Sequence, residues 1–154
     1  MTFLGSRLRH LLELLDGDVA AVYGDLGLPE IRPRFAPVVR VLAQQGPRTI
    51  RDLAAAIGVT HSAASQTVAE MTRQDLVRLE PGADARQRIV HLTDRAARLL
   101  PVIEAEMAAT VAAAEGLDAE LPYPLSRLVE EAIATLEHRP MRDRIGAVVV
   151  GKEM

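Results

Sequence analysis

The chain has 154 residues, enough for one domain with a sizeable core, and almost half of them are apolar. It has no Cys, which excludes a disulfide framework and a thiol redox sensor, and it has no apolar run long enough to span a bilayer. The net charge of −3 argues mildly against nucleic acid as a partner, although the distribution of charge matters more than the sum.

No signal-peptide pattern opens the sequence, so a cytoplasmic protein without a membrane partner is expected. There is no Trp, and the aromatics are Phe3, Tyr23, Phe35 and Tyr123. The core must therefore be Leu, Val, Ile and Ala, which suits helix packing.

Residues 3 to about 26 read as a long helix. Leu4, Leu8, Leu11, Leu15, Val19 and Val22 recur at steps of four and three, and Leu12, Leu14 and Leu26 widen the stripe. Such a wide stripe needs more than one partner surface, and in so short a chain a second copy is the expected partner. Gly24, Gly27 and Pro29 break the helix. Pro33 then reads as the first residue of the next one, which runs to about Gln45 with Phe35, Val38, Val39, Val41 and Leu42 inward. Pro37 falls near its first turn, where a missing N–H costs least.

The stretch from Arg48 to Thr93 carries the clearest signals. Thr49 with Asp52 three residues on is close to a capping box, and Ile50, Leu53, Ala54 and Ile57 make one buried face. Ala54 is small enough for a close helix crossing, Gly58 allows a left-handed turn, and Val59 is expected to plug the angle between two helices. Thr60 can cap the second helix. Its inward stripe is Ala64, Thr67, Val68 and Met71. The opposite face carries His61, Ser62, Ser65, Gln66 and Arg73, side chains that meet base edges and phosphates as hydrogen-bond donors and acceptors. An isolated helix of this kind would read as a solvated amphipathic face. The Gly turn before it and the hairpin expected from Leu76 to Leu92 favour a winged helix-turn-helix. The stretch from Arg48 to Arg95 carries a charge of +1 against −4 for the remainder, a modest contrast.

Thr93 caps a long helix expected to run toward Glu115 and to end at Gly116, with Ala96, Leu99, Leu100, Ile103, Met107 and Val111 inward. Pro101 should kink it or leave one carbonyl unpaired. Residues 117–124 read as a linker, followed by a helix from about Leu125 to Glu137 that presents Leu125, Leu128, Val129, Ile133 and Leu136. The tail from Pro140 has mixed character.

These residues resemble the MarR family of bacterial winged-helix regulators. The resemblance rests on Leu53-Ala54, Gly58-Val59-Thr60, Ser62, Ser65, Leu76-Val77, Asp84-Ala85-Arg86 and Leu92-Thr93. Two departures are Asp75 and Ala96, where the family usually has Gly. Asp tolerates a left-handed backbone better than most residues, and Ala is the better helix former. The resemblance implies a mainly α fold with a β-hairpin wing. Its dimerisation helices fall in residues 1–28 and 117–154, and its DNA-binding lobe in 29–116. It implies double-stranded DNA and a second copy as partners, with Arg86 entering the minor groove and Asp84 holding it. Arg88 joins the candidate DNA contacts with Thr60, His61, Ser62, Ser65, Gln66 and Arg73. It also implies a small aromatic or amphipathic effector, for which His10, Tyr23 and Phe35 are the candidate contacts. The regulator is expected to be a repressor.

No catalytic constellation competes with this reading. His10 and Glu13 lie one turn apart without a third ligand nearby in sequence, so no metal is expected. Ser62 and Ser65 lack a G-x-S-x-G elbow, and no P-loop or G-x-G-x-x-G is present, so neither an enzyme nor a cofactor is expected. A winged-helix module that binds protein instead of DNA is the alternative. Asp84 and Arg86 weigh against it, since a charged minor-groove probe has no clear purpose in an apolar interface.

Overall fold

A computed structural model describes residues 3–82 and 87–150, with side chains to residue 148. The first helix, α1 (Leu4–Asp25), ends where Gly27 takes a positive φ of 77°. The next, α2 (Phe35–Gln45), begins two residues later than Pro33 predicts. Pro33 instead lies in the turn that leads into the helix, where the Phe35 N–H donates to the Arg32 carbonyl at 2.9 Å. Pro37 falls in the first turn and displaces no helical hydrogen bond.

A two-residue strand, β1 (Arg48–Thr49), precedes α3 (Ile50–Ile57), and α4 (His61–Arg73) follows. The hairpin is β2 (Val77–Pro81) and β3 (Arg88–Leu92). The sheet order is β1-β3-β2, all antiparallel, with Arg48 opposite Val90 and Leu79 opposite Val90 on the other side. The fold is therefore mainly helical with a β-hairpin, as the sequence predicts, and β1 adds a third strand that the sequence reading did not contain.

The long helix α5 (Asp94–Glu120) is capped by Thr93, whose Oγ1 accepts from the Ala96 N–H at 3.2 Å. Gly116 does not end it, contrary to expectation. One Gly costs about 1 kcal/mol against Ala in a helix interior, and the Ala112–Ala114 run and Leu117 around it favour continuation. Pro101 lies inside the helix without ending it. It removes the N–H that the Ala97 carbonyl would accept, and Ala97 is exposed to water.

Contacts divide the chain into two units, Met1–Ala108 and Ala109–Met154. The core of the first holds Tyr23, Ile31, Phe35, Leu53, Val68, Met71, Leu76, Val90, Ala96 and Ile103, all effectively shut off from water. Each large side chain so buried stabilises the unit by about 1.5–3 kcal/mol before entropic costs. On α1, Leu4, Leu8, Leu12 and Leu15 remain exposed within this chain.

The second unit contains α6 (Leu125–His138) and α7 (Met141–Val150), the latter formed by the tail of mixed character. Asp118 caps α6 from a distance. Its Oδ1 accepts from the Ser126 N–H at 3.1 Å, and its Oδ2 accepts from the Ser126 hydroxyl. No residue of α6 is buried, and Leu128, Val129, Ile133 and Leu136 stand open to solvent. Val111, expected inward on α5, is also exposed.

Candidate nucleic-acid interface

The site is built from a helix pair whose ends are fixed by local chemistry. Thr49 caps α3 as predicted, but Asp52 accepts from the Thr49 hydroxyl and not from its backbone N–H as a capping box would have it. Thr49 Oγ1 accepts from the Asp52 N–H at 3.1 Å, and its hydroxyl donates to Asp52 Oδ2 at 2.8 Å. Gly58 closes α3 in the left-handed region, with φ 71°, and the Val59 N–H returns to the Ala54 carbonyl at 3.0 Å. Val59 does not plug the helix angle as expected; its side chain is 43% exposed. Ala54 and Ala64, both buried, let the helices approach closely instead. Thr60 caps α4 by accepting from the Ala63 N–H at 3.2 Å.

Burial along α4 separates two faces. Ala64, Thr67, Val68 and Met71 are buried, which is the predicted inward stripe. His61, Ser62, Gln66 and Arg73 are exposed, and Ser65 is half-buried at the margin. Ser62, Gln66, Ala69 and Arg73 succeed one another at steps of four, three and four, so they form one continuous outward row. Ala69 and Ala63 are exposed residues that sequence reasoning passed over. Their signal was position alone, since a methyl group on the reading face can meet a thymine methyl.

The end of α4 takes the unusual backbone expected of it. Asp75 has φ 54°, the left-handed region, and the Leu76 N–H donates to the Met71 carbonyl at 2.9 Å. Thr93 secures this turn, its hydroxyl donating to the Asp75 carbonyl at 2.7 Å. The chain then enters β2 with Leu76 and Val77 buried.

Arg88 opens β3 opposite Pro81 and is exposed. Asp84 and Arg86, the predicted wing pair, lie outside the described residues. His91 is only partly open to water, and its Nε2 lies 3.2 Å from Glu80 Oε2 on the neighbouring strand.

The three candidate effector contacts are placed differently from one another. His10 is exposed on α1, with Nδ1 3.8 Å from Glu13. Tyr23 and Phe35 are completely buried in the core. His10 and Tyr23 are thirteen residues apart on one helix, about 20 Å along its axis, so these side chains do not share one site. Burial pushes the Tyr23 phenol well above its usual range, and the Glu106 carboxylate adds to the shift. Among the described residues no group of three or more metal-ligating side chains occurs, and no helix is long and apolar enough to cross a membrane.

A model of the MarR family matches residues 33–88, from the turn before α2 to the first residue of β3. The match marks this segment as similar to the MarR family. The solved structures it resembles include transcriptional regulators. One is the M. tuberculosis regulator MOSR, solved in complex with DNA, at 23% identity over 88% of this chain and 93% of that one, with a TM-score of 0.65. Another is overoxidised AbfR bound to DNA, at 18% identity over 88% and 90%, with a TM-score of 0.63. A third is the PcaV regulator of Streptomyces coelicolor with its natural ligand, at 18% identity over 88% and 90%, with a TM-score of 0.61. No curated protein matches the chain. At these identities the likeness to solved structures carries the fold.

Proposed function

We propose that this chain is a MarR-type, cytoplasmic, sequence-specific DNA-binding repressor that grips a pseudo-palindromic operator as a homodimer. The observation that carries the reading is the outward row Ser62, Gln66, Ala69 and Arg73 on a helix capped at both ends. Its groups match what a major groove offers: Gln66 suits an adenine edge, Ala69 a thymine methyl, and Arg73 a phosphate near the helix end. In this reading Thr60, His61, Ser62 and Ser65 line the approach of the helix to the duplex. Arg86, held by Asp84, enters the minor groove beside Arg88.

The dimer is supported by apolar surface on each unit taken separately. Leu4, Leu8, Leu12 and Leu15 are exposed on α1, and Leu128, Ile133 and Leu136 on α6. Exposed apolar stripes of this size mark association surfaces. Release by a small aromatic or amphipathic effector completes the proposal, and the likeness to PcaV, solved with its natural ligand, supports it. Selection of DNA from a random pool by the purified protein, with sedimentation of the free protein, tests the reading. The expected result is a dimer that selects two half-sites with centres about one helical turn, roughly 10 bp, apart. A monomer, or DNA with a single unrepeated half-site, would refute it.

A further inference from the structure

Charged side chains outside the reading face tie the second half of α4 to the loop that joins α1 to α2. Arg34, the residue before α2, donates through Nη2 to Glu70 Oε2 on α4. Arg95, in the first turn of α5, makes two bonds: Nη1 donates to the carbonyl of Gln74, the C-cap residue of α4, and Nη2 donates to Glu30 Oε1. Glu30 and Arg34 belong to one loop, and that loop is firmly seated. The Leu28 N–H donates to the Tyr23 carbonyl at 2.8 Å and the Ile31 N–H to the Leu28 carbonyl at 3.0 Å. Tyr23, Ile31 and Phe35 beneath it are fully buried.

The chemistry of these ties fits a holding role. The last carbonyls of a helix lack intrahelical donors and carry the negative end of its dipole. A guanidinium can satisfy such a carbonyl and a carboxylate at once, in fixed directions, as an ammonium cannot. The side chains of Glu30, Glu70 and Arg95 are 26%, 23% and 32% exposed, so water and salt weaken their pairs less than a surface pair; Arg34, at 57%, is the weaker anchor. None of the four belongs to the outward row of α4.

We infer that Glu30, Arg34 and Arg95 are positioning residues for DNA reading, forming an ionic strap that fixes the recognition helix against the end of α1. The inference rests on the DNA-binding reading above and adds residues that touch no DNA. Hydrogen bonds to base edges fade steeply when distance and angle drift, whereas charge attraction to phosphates tolerates drift. A loosened strap therefore lowers discrimination between operator and unrelated DNA while leaving non-specific affinity nearly intact. A role in stability alone would lower both together, through loss of folded protein.

The test uses the full-length protein with Glu30→Gln, Arg34→Gln and the charge swap Arg34→Glu with Glu70→Arg. Glu30→Gln keeps the side-chain shape and a neutral acceptor, so the fold is retained. Two quantities are read at one salt concentration: the ratio of affinities for selected and unrelated DNA, and amide hydrogen exchange in the free protein. Loss of a shielded charged hydrogen bond predicts that Glu30→Gln lowers the ratio about tenfold, and Arg34→Gln less. Exchange should rise by a similar factor at residues 70–75 and stay unchanged at Val38 and Val39 in α2. The swap should bring the ratio back toward the wild-type value. Unchanged exchange at residues 70–75, or an equal fall in affinity for both DNAs, overturns the strap. If the wild-type protein selects no DNA, the functional reading falls on its own, and the exchange result alone decides whether the strap holds α4.

Discussion

Replacing Gln66 by Ala separates base reading from simple attraction to the duplex. Gln66 and Arg73 are seven residues apart on α4 and both exposed. Seven residues make nearly two turns, so the two side chains lie on one stripe about 10 Å apart. That spacing lets one meet a base edge while the other reaches backbone. A good bidentate contact to adenine is worth about 1–3 kcal/mol of discrimination. A homodimer makes the contact twice, so Gln66→Ala should cost about 2–6 kcal/mol on a full operator, or at least roughly thirtyfold in affinity. The loss should vanish when the read base pair is changed in both half-sites. Arg73→Ala should weaken every duplex and reduce the salt slope by about 0.9 per lost phosphate contact, hence about 1.8 for the dimer. Fluorescence anisotropy on the selected operator, its base-substituted versions and an unrelated duplex, over a series of salt concentrations, measures both effects. Equal weakening of all duplexes by Gln66→Ala, with an unchanged salt slope in Arg73→Ala, would refute this register of the helix.

Three further outcomes are expected. Asp75→Val should destabilise the protein by about 1–2 kcal/mol in denaturant titration, because the left-handed φ of 54° is costly for a branched side chain, whereas Asp75→Gly should be neutral or mildly stabilising. Arg86→Ala should weaken operator binding strongly without loss of dimer, Asp84→Ala partly, and the double variant should match Arg86→Ala alone; strict additivity in a four-protein titration would remove the wing coupling. The hydrogen bond from the Ser126 hydroxyl, followed by that from its N–H, holds the Asp118 carboxyl below the usual carboxylate range. A lowered folded-state value means that its contribution is present above the ordinary Asp value and fades as pH falls through the folded one. Amide exchange at the start of α6 should accordingly rise at strongly acid pH, and in Asp118→Asn this pH dependence should flatten.

What was legible in the sequence was local. The caps Thr49, Thr60 and Thr93, the left-handed Gly58 and Asp75, and the inward stripe of α4 all depend on residues a few positions apart. The sequence shows them because the governing hydrogen bonds span three or four residues. What escaped depends on distance or on weak local preference. Strand β1 exists because β3, about forty residues later, offers it partners. Gly116 reads as a stop, yet its small helical penalty is outweighed by the run around it. Val59 reads as a plug because it is apolar, although two buried Ala residues already close the angle. The salt links of Glu30 with Arg95 and Arg34 with Glu70 span 65 and 36 residues, and nothing in local spacing announces them.

The division of α4 into buried and outward positions has a consequence for how such a protein can change. Ala64, Thr67, Val68 and Met71 answer to the core, while Ser62, Gln66, Ala69 and Arg73 answer to whatever lies outside. Because none of these eight positions serves both, the outward four can be rewritten at little risk to folding, since surface substitutions usually change stability by within about 0.5 kcal/mol. A lineage could thus drift to a new operator one residue at a time, each intermediate remaining folded. A library randomised at those four positions should yield soluble protein nearly throughout, with the sequence preference, and not the fold, as the property that varies.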